Sequence, residues 1–338
     1  MTLHNDLRTV ALIRGGEGKE HNISCLGAEY VKGLIDGTKY RVLPIYIDRE
    51  GLWRSEDHGG AVAHPTLTED GGGVRVKDKF IRIDAALPLL HGDMGEDGAV
   101  QGALRCAHIP FVGADTVTGA VACDKGYTKA VAEALGIPTA CWIYYVGKDV
   151  AECRRLAEEK LGYPMFVKPA RLGSSVGAYP VRTPDEFNEA FASAIHLGDG
   201  RLLVEELIQN KRELEVAYFS AGGQRIISHP AEVVCDGFYS YGRKYDSPAV
   251  TLTRAELSPK IAAELRRYCE LLAKALGLRH LSRIDFFLSG ERIIFNEINT
   301  MPGFTASSLY PRILGECGIP PSALINLLIG DVLGEAGV

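Results

Sequence analysis

The apolar run TVALIRGG (residues 9–16) ends in two adjacent glycines. It leads into SCLGAEYVKGLI (24–35), where Leu26, Tyr30, Val31 and Leu34 recur at helical spacing. YRVLPIYID (40–48) then reads as a second strand. Strand, glycine loop, helix and strand in so short a stretch leave few folds open. The helix crosses one face of the sheet and returns the chain to a parallel neighbour, so the chain opens as an α/β unit.

The chain has 338 residues, enough for two or three domains. It is 46% apolar and 24% charged, the balance of an ordinary globular protein. The net charge is −6 and no Lys/Arg-rich run stands out, so a nucleic-acid partner is not expected. MTLHNDLRTVALIRGG lacks the charged-then-apolar pattern of an export signal, and no apolar run approaches ~18 residues, so no membrane span is expected either. None of the eight cysteines forms a C-x-x-C pair. They read as free thiols in a reducing cytoplasm, and without close Cys/His spacing a zinc site is not expected.

Further along, the Gly-rich stretch 55–75 reads as an exposed loop or flap, and AALPLLHG (85–92) as a strand entering a loop. Helical patterns follow at 99–109, 126–136, 150–162 and 183–195, the last opened by Thr183 with Glu186 three residues on. Strands are expected in 137–145, 164–170 and 174–181, and in LLVEELI, LEVAYFS, RIISHPAEVV and SRIDFFLSGERIIFNEIN. A long amphipathic helix covers 258–277, and a last helix begins at SALINLLIGDVL with Ser322 as its N-cap. An α/β first third thus precedes a mixed α+β remainder.

Several segments concentrate polar chemistry. GGEGKEHNIS (15–24) sets a glycine turn before a helix, where backbone N–H groups can meet an anion. It is not a dinucleotide fingerprint: His21 stands where G-x-G-x-x-G needs its last glycine, although Asp48 lies where a ribose acid would. Glu20 suits either a helix-capping acid or a group that binds a substrate ammonium. HGDMGEDGAVQG (91–102) reads either as a tight structural loop or as a substrate loop, and the substrate loop explains its charge density better. In FVKPARLGSSVG (166–177) a strand-end lysine precedes small residues with N–H and hydroxyl donors, a phosphate-binding composition, although no P-loop motif occurs in the chain. Lys125 and Lys244 lie on other segments, where a surface lysine explains either one taken alone. In SRIDFFLSGERIIFNEIN (282–299), Glu297 and Asn299 share a strand face, and hard cations take such oxygen ligands together with phosphates. Asp285 joins that face only if the hairpin loop has an odd number of residues or the ladder carries a bulge.

In order along the chain, GGEGKEHNIS, HGDMGEDGAVQG, CDKGYTK, FVKPARLGSSVG, VEELI…RELEVA, GFYSYGRKY, SRID and NEINTMPGFTASS resemble the D-alanine–D-alanine ligases of the ATP-grasp superfamily. The likeness spans Gly15 to Tyr310. It implies a Rossmann-like α/β domain (1–120), then an α+β ATP-grasp fold of two lobes (121–203 and 204–338). By that likeness Lys125 and Lys168 contact ATP phosphates, Glu205, Glu206, Leu207 and Ile208 line the adenine, Glu213 holds the ribose and Lys244 reaches the γ-phosphate. Asp285, Glu297 and Asn299 match ligands for two Mg²⁺ (or Mn²⁺) ions. Glu20, Ser174 and Tyr245 match a triad at the first D-alanine, with His91 nearby. Arg283 and the Gly303 N–H match oxyanion donors, and Ser308 a group that holds the second substrate's carboxylate. A lid over 237–250, a homodimer and a role in peptidoglycan precursor synthesis are implied as well.

Some positions depart from the family pattern: Asn22 replaces a second acid, Ser307 a histidine, and QNKRE carries one extra residue. The resemblance implies that Tyr245 goes with an amine as second nucleophile and that Leu309 leaves an apolar wall beside Ser308, and both favour D-alanine as the second substrate over D-serine or D-lactate. Retention of the charged set argues against an ATP-binding protein that has lost catalysis.

Overall fold

The computed structural model describes residues 7–173, 176–197, 199–234 and 251–335. The side chains of 251 and 252 are not among those described. Ser174, Lys244, Tyr245, Cys235 and the expected lid lie outside the described residues.

The first sheet has seven strands. β1 (Arg8–Gly15) pairs in parallel with β2 (Tyr40–Ile47) on one side and β7 (Ala85–Pro88) on the other. The crossover between β1 and β2 is α1 (His21–Lys32). β1 is buried on both faces, as a central parallel strand must be. Val10 and Leu12 belong to one core cluster, and Ala11 and Ile13 to another.

The stretch read as a loop or flap is instead an antiparallel meander that widens this sheet. β3 (Trp53–Ser55), β4 (Ala61–Thr68), β5 (Gly71–Val76) and β6 (Lys79–Arg82) add strands outward from β2. Its glycines are demanded by contact, not by looseness: a Cβ at Gly72 would strike the Ala107 carbonyl, and one at Gly73 the Ile81 carbonyl. Only Glu69 and Asp70 form the turn between β4 and β5.

α2 (Ala99–Cys106) covers this sheet, and α3 (Thr116–Cys123) and α4 (Lys125–Ala134) lead out of it. Asp124 ends α3 and caps α4, accepting from the Gly126 and Tyr127 N–H groups. The second sheet is antiparallel, in the order β10 (Tyr179–Val181), β9 (Met165–Pro169), β11 (Arg201–Glu206), β8 (Trp142–Val146). It packs against α5 (Val150–Lys160) and α6 (Pro184–Leu197) around Phe187 and Phe191. Thr183 caps α6 as expected, its Oγ1 accepting from the Glu186 N–H at 3.2 Å.

The third sheet runs β15 (Thr251–Arg254), β14 (Ala231–Val234), β12 (Arg212–Ala221), β16 (His280–Ser289), β17 (Arg292–Asn299), with β13 (Gln224–Ile227) also on β12. α7 (Pro259–Leu276) lies on it, capped by the Ser258 hydroxyl and stopped by left-handed Gly277. α8 (Leu309–Glu316) and α9 (Pro321–Leu333) close the chain. Pro320, not Ser322, is the N-cap of α9, since the two prolines set the helix start two residues earlier. Leu314, Leu324 and Leu328 from these helices share a core with Val10 and Leu12 of β1 and Val31 of α1, which joins the C-terminal end to the N-terminal body. Among the described residues no single helix is long and apolar enough to cross a membrane, and the seven described cysteines are free thiols.

Candidate active site

The hairpin β16–β17 turns through only two residues, Gly290 and Glu291, between the paired Ser289 and Arg292. Two is even, so a regular ladder would set Asp285 and Glu297 on opposite faces. A bulge resolves it. Phe286 pairs with Phe295, but Asp285 pairs with Glu297, leaving Asn296 as the extra residue. On the other side of β16, Asp285 stands opposite Glu215 of β12. Three carboxylates, Glu215, Asp285 and Glu297, therefore form one row across three strands. In the adjacent row Ala217, Arg283 and Asn299 are in register.

Like charges side by side on a sheet are destabilising unless cations answer them. Arg283 answers two. Its Nε and Nη2 donate to Asp285 Oδ1 and Oδ2 at 2.8 and 2.7 Å, and its Nε lies 3.3 Å from Glu215 Oε2. Burial alone would lower its pKa, but Asp285 and Glu215 outweigh that and raise it, so the guanidinium stays charged. Lys125 answers the third: its Nζ lies 3.3 Å from Glu297 Oε2 and donates to the Leu172 carbonyl at 2.7 Å.

A second charged knot lies beside the first. Glu205, on β11, takes Lys168 Nζ of β9 at 2.6 Å on one oxygen and Lys129 Nζ of α4 at 2.6 Å on the other. Burial pushes this carboxyl up, but the two ammonium groups overcome it and hold it at about 2. Lys168 is lowered, because burial outweighs its share of that carboxylate.

Residues of both knots line one cleft between the second and third sheets, which opens to solvent. Leu207, Ile208, Phe166 and Phe287 give part of it apolar walls. Glu206 also lines it, but its carboxylate is engaged with the Cys141 N–H at 3.0 Å and Arg292 at 3.1 Å. Glu213 lies toward the same walls, 3.1 Å from Lys211 Nζ, itself 3.5 Å from the Phe287 ring centre. Lys125, Lys168, Glu205, Glu206, Leu207, Ile208, Glu213, Arg283, Asp285 and Glu297 all line this cleft. Asn299 joins them through its Nδ2, which donates to Asp285 Oδ2 at 3.2 Å.

The remaining residues gather where the N-terminal sheet faces the chain after β17. Glu20 makes no side-chain cap on α1. Its carboxylate instead lies against two loops: a Cβ at Gly92 would stand 2.8 Å from Oε2, and one at Gly173 3.7 Å. His91 is buried, and its Nδ1 donates to the Met301 carbonyl at 2.8 Å. Ser308 Oγ accepts from the Thr305 N–H at 2.8 Å and would lie 3.2 Å from a Cβ on Gly303. Asn22 faces outward to Arg49, Ser307 is exposed, and His21 fills the missing-glycine position by bridging the Gly16 carbonyl and the Tyr46 hydroxyl.

Glu215, Lys129 and Glu96 were not singled out from sequence. Glu215 could have been, since it lies two residues after Glu213 on the same strand and so on its face. Lys129 has the spacing of any helix lysine, and nothing in CDKGYTK marks it as buried.

Two carboxylates and an amide suit a hard divalent cation that takes its other ligands from phosphate and water. The fit requires the opposite Asn299 rotamer, presenting Oδ1 in place of Nδ2. No group of three or more His, Cys, Asp or Glu gathers as a complete metal cage among the described residues.

Residues 9–114 match the family profile described as D-ala D-ala ligase N-terminus, and residues 131–330 the one described as D-ala D-ala ligase C-terminus. The chain belongs to the D-alanine–D-alanine ligase family. A D-alanine–D-alanine ligase of Chlorobium limicola is 38% identical, over 95% of this chain and 96% of the relative. One from Deinococcus radiodurans is 35% identical, over 97% and 99%. Among solved structures, D-alanyl-alanine synthetase A of Vibrio cholerae superposes with a TM-score of 0.87 at 32% identity, covering 97% of this chain and 99% of that one. VanG D-Ala:D-Ser ligase of Enterococcus faecalis gives 0.86 at 29%, covering 96% and 99%. The family's ATP-grasp fold is the arrangement of the sheets described above.

Proposed function

We propose that the protein joins two D-alanines into D-alanyl-D-alanine, with ATP as phosphoryl donor, for peptidoglycan precursor synthesis. The observation that carries this reading is the Glu215–Asp285–Glu297 row beside two buried lysines in one cleft.

A carboxylate is a poor acyl donor because its leaving group would be oxide. Transfer of the γ-phosphoryl group to the first D-alanine gives an acyl phosphate. The amine of the second attacks that carbonyl, the C–O bond to phosphate breaks, and phosphate leaves with the bonding pair while the nitrogen sheds a proton. Lys125 and Lys168 hold phosphate charge, and Leu207, Ile208 and Phe287 flank the base. Bound divalent ions, two per site and Mg²⁺ or Mn²⁺ in kind, would neutralise phosphate charge from Asp285, Glu297 and Asn299. Glu20 takes the first ammonium, with His91 beside it. Arg283 and the Gly303 N–H stabilise the tetrahedral oxyanion, and loss of one such donor typically costs on the order of 3 kcal/mol. Ser308 holds the second carboxylate. Ser174, Lys244 and Tyr245 complete the assignment by family resemblance.

The same reading divides the chain at 1–120, 121–203 and 204–338 and makes it a cytoplasmic homodimer. The likeness to a D-Ala:D-Ser ligase keeps D-serine as the second reading for the acceptor. An apolar neighbour such as Leu309 rejects an added hydroxyl only weakly. The test is phosphate release and product analysis with ATP, Mg²⁺ and D-alanine alone, then with D-serine or D-lactate added. Dipeptide from D-alanine alone is expected. Turnover only when D-serine or D-lactate is present would overturn the acceptor assignment.

A further inference from the structure

The loop after β7 holds the chain after β17 by its backbone. Glu96 Oε1 accepts the Met301 N–H at 2.9 Å, and its Oε2 accepts the Gly92 N–H at 3.0 Å. His91 Nδ1 donates to the Met301 carbonyl at 2.8 Å. Both polar backbone groups of one residue are thus taken by two side chains lying more than two hundred positions away in sequence.

The Met301 side chain is fixed as well. It is 3% exposed in the core it shares with Val112, and a Cβ at Gly113 would press to 3.2 Å from its terminal methyl. Between Met301 and Gly303 stands only Pro302, whose ring fixes φ and which is buried. Little freedom remains for Gly303 to move independently of Met301.

We propose that Glu96 and His91 form a clasp across the two ends of the molecule that holds Met301 and thereby sets the position of the Gly303 N–H, making Glu96 a positioning residue for acyl transfer. This rests on the reading of Gly303 as an oxyanion donor. The clasp also explains the composition of HGDMGEDG. Glu96 bonds the Gly92 N–H within the loop, and Gly92 in turn lies against Glu20. The face that receives the first substrate and the donor that stabilises the reacting carbonyl are therefore tied to one carboxylate. Burial, then the nearby Glu20 charge, push the Glu96 carboxyl upward, so a neutral glutamine is a mild replacement.

The experiment compares Glu96→Ala and Glu96→Gln with the parent in two readouts: amide hydrogen exchange in the peptide containing Met301, and steady-state kinetics. Glu96→Ala removes both acceptors. Exchange at Met301 is expected to rise and kcat to fall roughly 100-fold, while KM for ATP stays within about twofold, the pattern of a misplaced catalytic group with an intact nucleotide site. Glu96→Gln keeps the shape and one acceptor oxygen, so it is expected to recover part of kcat, and it serves alone if the alanine variant does not fold. Unchanged exchange in a folded variant overturns the clasp and leaves the Gly303 reading standing. Raised exchange with unchanged kcat overturns the positioning role and the Gly303 reading with it. A fall in kcat matched by an equal rise in KM for ATP overturns the proposal in favour of a general loosening of the site.

Discussion

Glu205 is buried among apolar strands and yet ionised, a costly arrangement unless its charge is met at close range. It is met twice, by Lys168 at the cleft and by Lys129 behind it. The two lysines differ in surroundings. Lys168 lines the cleft, whereas Lys129 does not, its side chain is 1% exposed, and its Nζ also reaches the Phe295 carbonyl at 3.5 Å. Lys129 is thus a fixed counter-charge which, on the proposed assignment, leaves Lys168 to share itself with a phosphate. Replacing it, as in Lys129→Met, strands half of the Glu205 charge. A loss of about 3 kcal/mol in urea unfolding is expected, at the lower end for a broken buried pair because Lys168 remains. Lys168 is then drawn harder to Glu205, and KM for ATP is expected to rise several-fold. A variant within about 0.5 kcal/mol of the parent, the range of an ordinary surface substitution, would show that Lys129 is not the second counter-charge.

The β16–β17 hairpin shows how one residue sets the chemistry of a whole element. From the apolar runs Phe286–Phe287 and Ile293–Phe295 the two strands were legible, and so was the shared face of Glu297 and Asn299. The choice between an odd loop and a bulge was not, because Ser-Gly-Glu-Arg gives no signal of where pairing stops. The observed loop is even, and Asn296 is the bulge. The meander at 55–75 was hidden for a related reason: glycines that permit a close backbone approach look, in sequence, like glycines that loosen a loop. Deleting Asn296 is expected to remove the bulge and leave a regular ladder in which Glu297 follows Phe295 and still stands opposite Asp285, so the carboxylate row survives. The deletion should therefore keep measurable turnover, and circular dichroism should keep the strand content. Glu297→Gln leaves the pairing intact but removes one charge of the row, and it is expected to abolish turnover. Near-normal activity in that variant would show that the in-register carboxylate row is not the catalytic feature.

At the scale of the molecule, several of the contacts that join the elements around the cleft are polar. β17 meets the 138–139 segment through the Phe295 N–H to the Pro138 carbonyl at 2.8 Å, with the Glu205 knot directly beside it. Sequence patterns report the faces of single elements, so the sheets and their cores were largely legible. Joints such as Lys129 to Phe295, or Glu96 to Met301, link positions far apart and leave no periodic trace. One of these joints makes a definite claim about acid stability. The folded-state pKa of Glu205 is about 2, below its ordinary value of 4.5, so the folded state binds its proton more weakly than the unfolded chain. Its stabilising contribution is therefore complete above about pH 4.5 and is lost as pH falls through about 2. The shift corresponds to a contribution on the order of 3 kcal/mol. Urea unfolding of the parent and of Glu205→Gln, followed from pH 7 down to pH 2.5, isolates it, since glutamine does not titrate. The stability gap between the two is expected to stay level from pH 7 to about pH 4.5 and to shrink below that. A gap that does not change with pH would mean that Glu205 is not held ionised by its two lysines.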